Sequence, residues 1–399
     1  MLQGLKVIEY ATYHAAPGAG LILSEWGGNV IKVEPLEGDP VRGFFGSIGA
    51  AFDINPAFEF DNRGKRSIAV DTRTDEGRAV MRRLADGADV FLTNVRPAGL
   101  ARSGLDPHSL MSACPRLVYC SLTGYGLEGP DADRPGFDIA SFWARSGMAA
   151  LTAPKGMAPF PIRTAVGDHV TSLAAAAGIL AALLEREKTG RGRLVEASLL
   201  RTAVFTQGVD LGIQMAFGKL ASTRPREQAV QPLANFFRTA DGRWLCLVPR
   251  QTGDDWAAIR RALGLEALAG DPRFASAKAR RENGPALVGA LDEAFAALDF
   301  GAAAARLDAE GLAWAPVQTA AEIVADPQLA AAGGVAEIVR PDGARLKTPA
   351  GPVRFPGHDD HTRPPAPALG EHSRTVLAEL GYGDDEIEAL IAGKAIGAI

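Results

Sequence analysis

"LKVIEYATYHAAPGAGLILSEWGGNVIKVE", residues 5–34, sets two short apolar runs on either side of a helical pattern. Val and Ile dominate "LKVIEY" and "NVIKVE" with little polar alternation, as expected for strands covered on both faces. The segment between them carries Gly18 and Gly20 and then "LILSEW", which reads as a helix. A strand, a helix and a second strand predict a right-handed βαβ unit with parallel strands. The alternation continues with a helical "EGRAVMRRLADG" (76–87) and extended "ADVFLTNV" (88–95) and "RLVYCSLTGYG" (116–126). The first 125 residues therefore predict a parallel α/β sheet.

Further along, "DHVTSLAAAAGILAALLEREK" predicts a long buried helix from Asp168 to about Lys188, stopped by "TGRG", with a second helix over about 196–218. A polar, proline-containing stretch at 221–232 reads as a linker. Beyond it, "NFFRTADGRWLCLVPR" (235–250) predicts a hairpin turning at Asp241-Gly242, followed by helices near 253–263 and 285–308. The domains expected are 1–220, the first part of a large α/β domain; 221–325, a small α+β domain with its linker; and 326–399, a return linker and the rest of the large domain.

Composition narrows the function. With 42 Lys+Arg against 47 Asp+Glu, the net charge of −5 argues against nucleic-acid binding but leaves room for a local basic site. Cys114, Cys120 and Cys246 form no CxxC pair or metal-ligand spacing and fit a reducing compartment. The N-terminus has no signal-peptide pattern, and no window reaches about 18 uninterrupted apolar residues. A soluble, cytoplasmic protein is expected.

Individual motifs have bland and sharp readings. The turn "HAAPGAGLIL" has Leu23 where G-x-G-x-x-G needs its third glycine, so Gly18, Gly20 and Glu34 support dinucleotide binding only weakly. "HDDH" (358–361) lies among prolines with no helix to set metal geometry; it reads as an exposed loop, and no metal is expected. "DNRGKRSIAVDTRTDEGR" (61–78) has five basic residues among acids, either a solvated loop or a phosphate cradle. Asp168, at the start of a helical run, is by residue type an N-cap.

Taken in order, these segments are more specific. "LQGLKVIEYATYHAAPGAG…LSEWGGNVIKVEPLEGDPVR", "NRGKRSIAVD", "ADVFLTNVRPAGLARSGLD", "PRLVYCSLTGYGLEGP" and "GDHVTSLAAAAGILAALLEREKTGRG" together resemble the family III CoA-transferases, the CaiB/BaiF group. That group includes formyl-CoA and carnitine-CoA transferases and the 2-methylacyl-CoA racemases. The likeness continues through "NFFRTADGRWLCL", "GLAWAPVQTAAEIVADPQL" and "LGEHSRTVLAELGY".

The resemblance implies a Rossmann-like large domain, a small domain and an interlocked homodimer. It implies CoA transfer from an acyl-CoA to a small carboxylic acid, with CoA thioesters as substrates and no permanent cofactor. Asp168 of the G-D motif matches the family nucleophile, which forms a mixed anhydride and then an aspartyl-CoA thioester. CoA contacts map to His14, Ala15, Val70, Arg73, Asn94, Val95, Arg96 and Arg102, and to Arg134, Gly136, Phe137 and Asp138 beside the thioester. Two departures make an oxalate or formate substrate unexpected. Pro35 stands where formyl-CoA transferases have Arg, and Asn235 runs to Trp244 without their glycine-rich loop. "PGFDIAS" (135–141) has Phe137 where the racemases have an acid/base His, which favours transferase over racemase; a dinucleotide oxidoreductase is the remaining alternative. His169, one helix step from Asp168, is expected to point elsewhere.

Overall fold

The computed structural model describes residues 1–47, 54–250, 254–357 and 362–398. The chain divides into two compact units, one of residues 1–149, 160–220 and 327–399, the other of 150–159 and 221–326. Residues 150–159, which the sequence boundaries put in the large domain, belong to the smaller unit.

In the larger unit, β1 (Lys6–Tyr10), α1 (Ala15–Glu25) and β2 (Asn29–Glu34) form the opening βαβ unit. They are followed by α2 (Pro56–Asn62), β3 (Arg66–Val70), α3 (Asp75–Asp86), β4 (Val90–Thr93), α4 (Pro97–Ser103), α5 (Pro107–Ala113) and β5 (Val118–Thr123). Next come a π-helical segment, Asp138–Ala144, then α6 (Val166–Thr189) and β6 (Leu194–Ser198). The sheet runs β3-β2-β1-β4-β5-β6, all parallel, with the last strand, Ile396–Gly397, antiparallel on the β3 edge. This is the strand order of a doubly wound dinucleotide-type sheet, whose order reverses between β1 and β4.

Alternate residues of each strand enter different cores. Val7, Val30, Val90 and Leu92 pack in the core that includes α1 and α6, and Ile8, Ile31 and Phe91 in the one that includes α3, α4 and α5. By length and composition α6 could cross a membrane. Here it packs on α1, with Ala175, Ala176, Ile179 and Ala182 buried.

Residues 196–218 are not one helix. Leu194–Ser198 forms β6, paired with β5, and Ser198 Oγ caps α7 (Leu199–Thr206) by accepting the Arg201 N–H at 3.2 Å. α8 (Gly208–Phe217) follows after a break at Gln207. The smaller unit has the hairpin β7 (Asn235–Arg238) and β8 (Trp244–Leu247), extended by β9 (Trp314–Pro316). Its helices include Trp256–Leu263, Gly284–Ala296 and Phe300–Ala309; Asp299 caps the last, dividing the pattern at 285–308.

Charges buried beneath the sheet's carboxyl edge were not legible in sequence. The Lys32 Nζ lies 2.9 Å from Asp39 and 3.3 Å from Glu9, and the Lys65 Nζ lies 2.7 Å from Glu9. All four side chains are buried. Lys65 also donates to the Pro17 carbonyl and Asn62, tying α1 and α2 together, while burial brings its ammonium down to about 8. Gly20 makes room for this network: a Cβ there would lie 1.8 Å from Glu9 Oε2. Gly20→Ala should therefore destabilise by about 3 kcal/mol or more, the scale of breaking a buried ion pair. Gly289→Ala, on a helix with nothing within 4 Å of the new methyl, should stabilise by about 0.5–1 kcal/mol. Chemical unfolding of the two variants checks both signs.

Candidate functional site

At the topological switch point of such a sheet, the loops after neighbouring strands diverge and leave a crevice. Here these are the β1–α1 loop with His14 and the β4–α4 loop with Asn94 to Arg96. Asn94 staples them, accepting the Thr12 N–H at 3.1 Å and donating to the Thr12 carbonyl at 2.6 Å. Asp39, fixed by Lys32, accepts the Tyr13 N–H at 3.2 Å. Tyr13 is left-handed, with φ 63°.

α6 begins at Val166, two residues before Asp168, so the N-cap expectation for Asp168 is corrected. The N-cap is Ala165, also left-handed at φ 66°, and it makes no side-chain cap bond. Asp138 does the capping instead: the Gly167 N–H donates to its carboxylate at 3.2 and 3.3 Å. Only glycine fits at 167, because a Cβ would come within 2.4 Å of Asp138 Oδ1 and 2.3 Å of the Phe142 ring. Among non-glycine residues described, only Tyr13, Ala165 and Lys394 have positive φ, and two of the three flank this site. Such strain costs about 1–3 kcal/mol per residue and collects at functional sites.

The Asp168 carboxylate, on the first turn of α6, has no hydrogen-bond partner among the described residues. Burial and then the charge of Asp138 push it up to about 6, while His14 and His169 pull it back. His169 does point away, to Asp61: its Nε2 lies 2.9 Å from Asp61 Oδ1, and His14 Nδ1 lies 2.6 Å from Asp61 Oδ2. These three residues bring nitrogen and oxygen atoms close enough to suggest a metal. Ligands around a tetrahedral ion sit roughly 3.3 Å apart, however, whereas 2.6 Å is a charge-assisted hydrogen bond. The arrangement is a bridge. The "HDDH" histidines, His358 and His361, lie outside the described residues.

One reading of the sequence fails on geometry. Glu34 cannot meet a ribose, because both oxygens hold Arg42, at 2.7 and 2.8 Å, and Ser67 and the Asp39 N–H take further contacts. The five basic residues at 61–78 each have a carboxylate partner: Arg63 pairs with Glu25, Lys65 with Glu9, Arg66 with Glu379, Arg73 with Asp71 and Arg78 with Asp75.

The sequence profile of CoA-transferase family III matches residues 2–373. This chain belongs to that family. It is 30% identical over 400 residues to the (R)-2-hydroxy-4-methylpentanoate CoA-transferase of Clostridioides difficile, covering 99% of both chains. It is 33% identical over 389 residues to the succinate–glutarate CoA-transferase of Agrobacterium fabrum, covering 95% of both. A CAIB/BAIF family protein from Brucella suis shares the fold with a TM-score of 0.84 at 33% identity, over 95% of this chain and 99% of that one. The named activities differ in their acids and share CoA transfer. This family III transferase accordingly acts on CoA thioesters.

The transferase's inferred contact residues are placed unevenly. Ala15 is buried, and its carbonyl accepts Ser172 Oγ at 2.6 Å, tying α1 to α6. Val70 is a core side chain, so only its backbone remains for a ligand. Arg73 is exposed but held by Asp71 at 2.8 Å. Val95 packs partly buried on the core. Arg96 and Arg102, at the two ends of α4, are exposed and have no carboxylate partner among the described residues. Arg134 is exposed beside Asp131, at 3.6 Å. Gly136 is required by a backbone crossing, since a Cβ would lie 2.5 Å from the Gly124 Cα. Phe137 is exposed and meets the Tyr13 ring edge-on at 5.9 Å. A depression of about 510 Å³ lined by Leu2, Leu180, Leu184 and Glu187 opens near the far end of α6, about 18–28 Å from Asp168 along the helix, and is separate from this site.

The coupling between the two acids is testable. Asp138→Asn keeps an acceptor for the Gly167 N–H but removes the charge that raises Asp168. The Asp168 carboxyl should then titrate below about 6, read by carboxyl-carbon NMR; an unchanged titration would show that Asp138 acts only as a cap.

Proposed function

We propose that this transferase moves CoA from an acyl-CoA to a carboxylic acid with Asp168 as nucleophile. The single observation supporting it is the unpartnered Asp168 carboxylate on a helix whose cap is supplied by Asp138. An Asp168 oxygen attacks the thioester carbonyl, the C–S bond breaks, and CoA thiolate leaves a mixed anhydride. Thiolate attack at the aspartyl carbonyl releases the donor acid and forms an aspartyl-CoA thioester. The acceptor carboxylate expels thiolate from this thioester to give a second anhydride. Thiolate takes the acceptor acyl group and restores Asp168. Every bond made is matched by one broken, without redox change or net proton transfer.

The surroundings suit each charge. First-turn N–H groups of a helix have no intrahelical acceptor and stabilise the oxyanion formed on attack. The free cations Arg96 and Arg102 suit the phosphates of CoA. Phe137 stands where the racemases carry their acid/base His and has no proton to exchange, which favours transfer over racemisation.

A carboxyl raised to about 6 is ionised at neutral pH and loses its nucleophilic form as pH falls through that value, so kcat/KM should fall on the acid side near pH 6. Asp168→Asn should fold normally, bind CoA and lose transfer. A stable Asp168→Asn enzyme with normal turnover would overturn the reading.

We also propose a homodimer. α8 has no buried residue, and Phe205, Val209, Met215 and Phe217 are 72–83% exposed. An apolar face of this kind is characteristic of an interaction surface. Sedimentation should give twice the 41.8 kDa chain mass, and a monomer at micromolar concentration would contradict the proposal.

A further inference from the structure

Asp61 has no role in the chemistry above, yet it is among the most enclosed acids of the molecule. It lies on α2, 1% exposed, and its two oxygens meet two site histidines, one each. Burying a carboxylate is unfavourable unless its partners are well placed. Here those partners come from two other elements, His14 from the β1–α1 loop and His169 from α6.

We propose that Asp61 is a positioning residue of this transferase, holding the His14 and His169 rings and fixing which nitrogen of His14 is left for the acyl group reacting at Asp168. The proposal rests on Asp168 being the nucleophile. An ionised carboxylate can only accept, so His14 Nδ1 and His169 Nε2 must both carry the bridging protons. That leaves His14 Nε2 and His169 Nδ1, neither of which has a hydrogen-bond partner among the described residues. The rings are held as well as assigned. Their centroids are 6.2 Å apart, Phe60 meets the His169 ring edge-on at 5.1 Å, and a Cβ on Gly18 would come to 3.2 Å from His169 Cδ2.

The bridge also sets charge. Burial pushes His14 down, but the hydrogen bond and charge of Asp61, with Asp168 and Asp39, outweigh it and raise it overall. Burial pushes Asp61 up, and the bonds from both histidines outweigh that, keeping it ionised. The charged groups around Asp168 are Asp138 from the π-helical segment, Asp61 from α2, and His14 and His169. The first two raise it and the histidines lower it, with His14 outweighing Asp61. A protonated His14 held by Asp61 thus favours the anionic nucleophile, and its free Nε2–H is a donor for the oxygen that gains charge on attack.

Asp61→Asn tests this with little change of volume. One amide oxygen can still accept from one ring, but the charge and the second acceptor are gone. The expected variant melts like wild type, binds CoA within about twofold and keeps its KM for acyl-CoA, while kcat falls about 10²-fold, the size of one lost oxyanion donor. The His14 imidazole, followed by NMR, should titrate lower than in the wild type, and the alkaline limb of kcat should move down with it. An unshifted His14 titration with a wild-type pH profile overturns the proposal. So does a loss of activity that merely tracks lost stability and CoA binding.

If Asp61→Asn does not fold, His14→Gln decides. It should lower kcat and abolish the alkaline limb; retention of that limb contradicts the proposal. The His14 titration needs no turnover, so it judges Asp61 even if Asp168→Asn proves active and the nucleophile assignment fails.

Discussion

The Gly167 N–H donates to Asp138, and that bond decides what Asp168 is free to do. A helix N-terminus needs acceptors for its first N–H groups, and an acid on its first turn is the usual supplier. Because Asp138 reaches in from another segment, Asp168 keeps its oxygens unengaged while remaining in the field of the helix dipole. The geometry depends on the missing Cβ at Gly167 and on Ala165 holding a left-handed turn. Two acids with opposed surroundings thus divide capping from the proposed chemistry.

The β1–α1 loop is held by charge rather than apolar packing. Lys32 fixes Asp39, and Asp39 holds the Tyr13 N–H in a conformation that a tyrosine rarely adopts. Glu9 joins Lys32 to Lys65, and Lys65 anchors Pro17 on α1 and Asn62 on α2. The next residue back on α2 is Asp61, which reaches His14 and His169. One buried network therefore sets the position of the loop, of α1 and of the helix carrying Asp61. Its ions are costly to desolvate and are retained where a unique arrangement matters.

The parallel βαβ core was legible because "LKVIEY", "NVIKVE" and "ADVFLTNV" carry their pattern locally. The strand at 194–198 was not, because a short "LVEAS" run beside a strong helical pattern is settled only by pairing with β5. Asp168 stood out through its G-D context, but its freedom from capping depends on Asp138, thirty residues away in sequence. Asp61 was read as part of a basic loop because nothing local marks it. Its partners lie 47 and 108 residues distant, and only the fold brings them together. The same holds for Arg63 and Lys65, which look like surface cations in sequence and are buried beside Glu25 and Glu9.

The most direct measurement is to incubate the enzyme with acyl-CoA, quench with hydroxylamine, and map the modified peptide by mass spectrometry. On this account an activated carboxyl accumulates and the hydroxamate is found on Asp168. No label, or a label on Asp138 or Asp61 in place of Asp168, would contradict it.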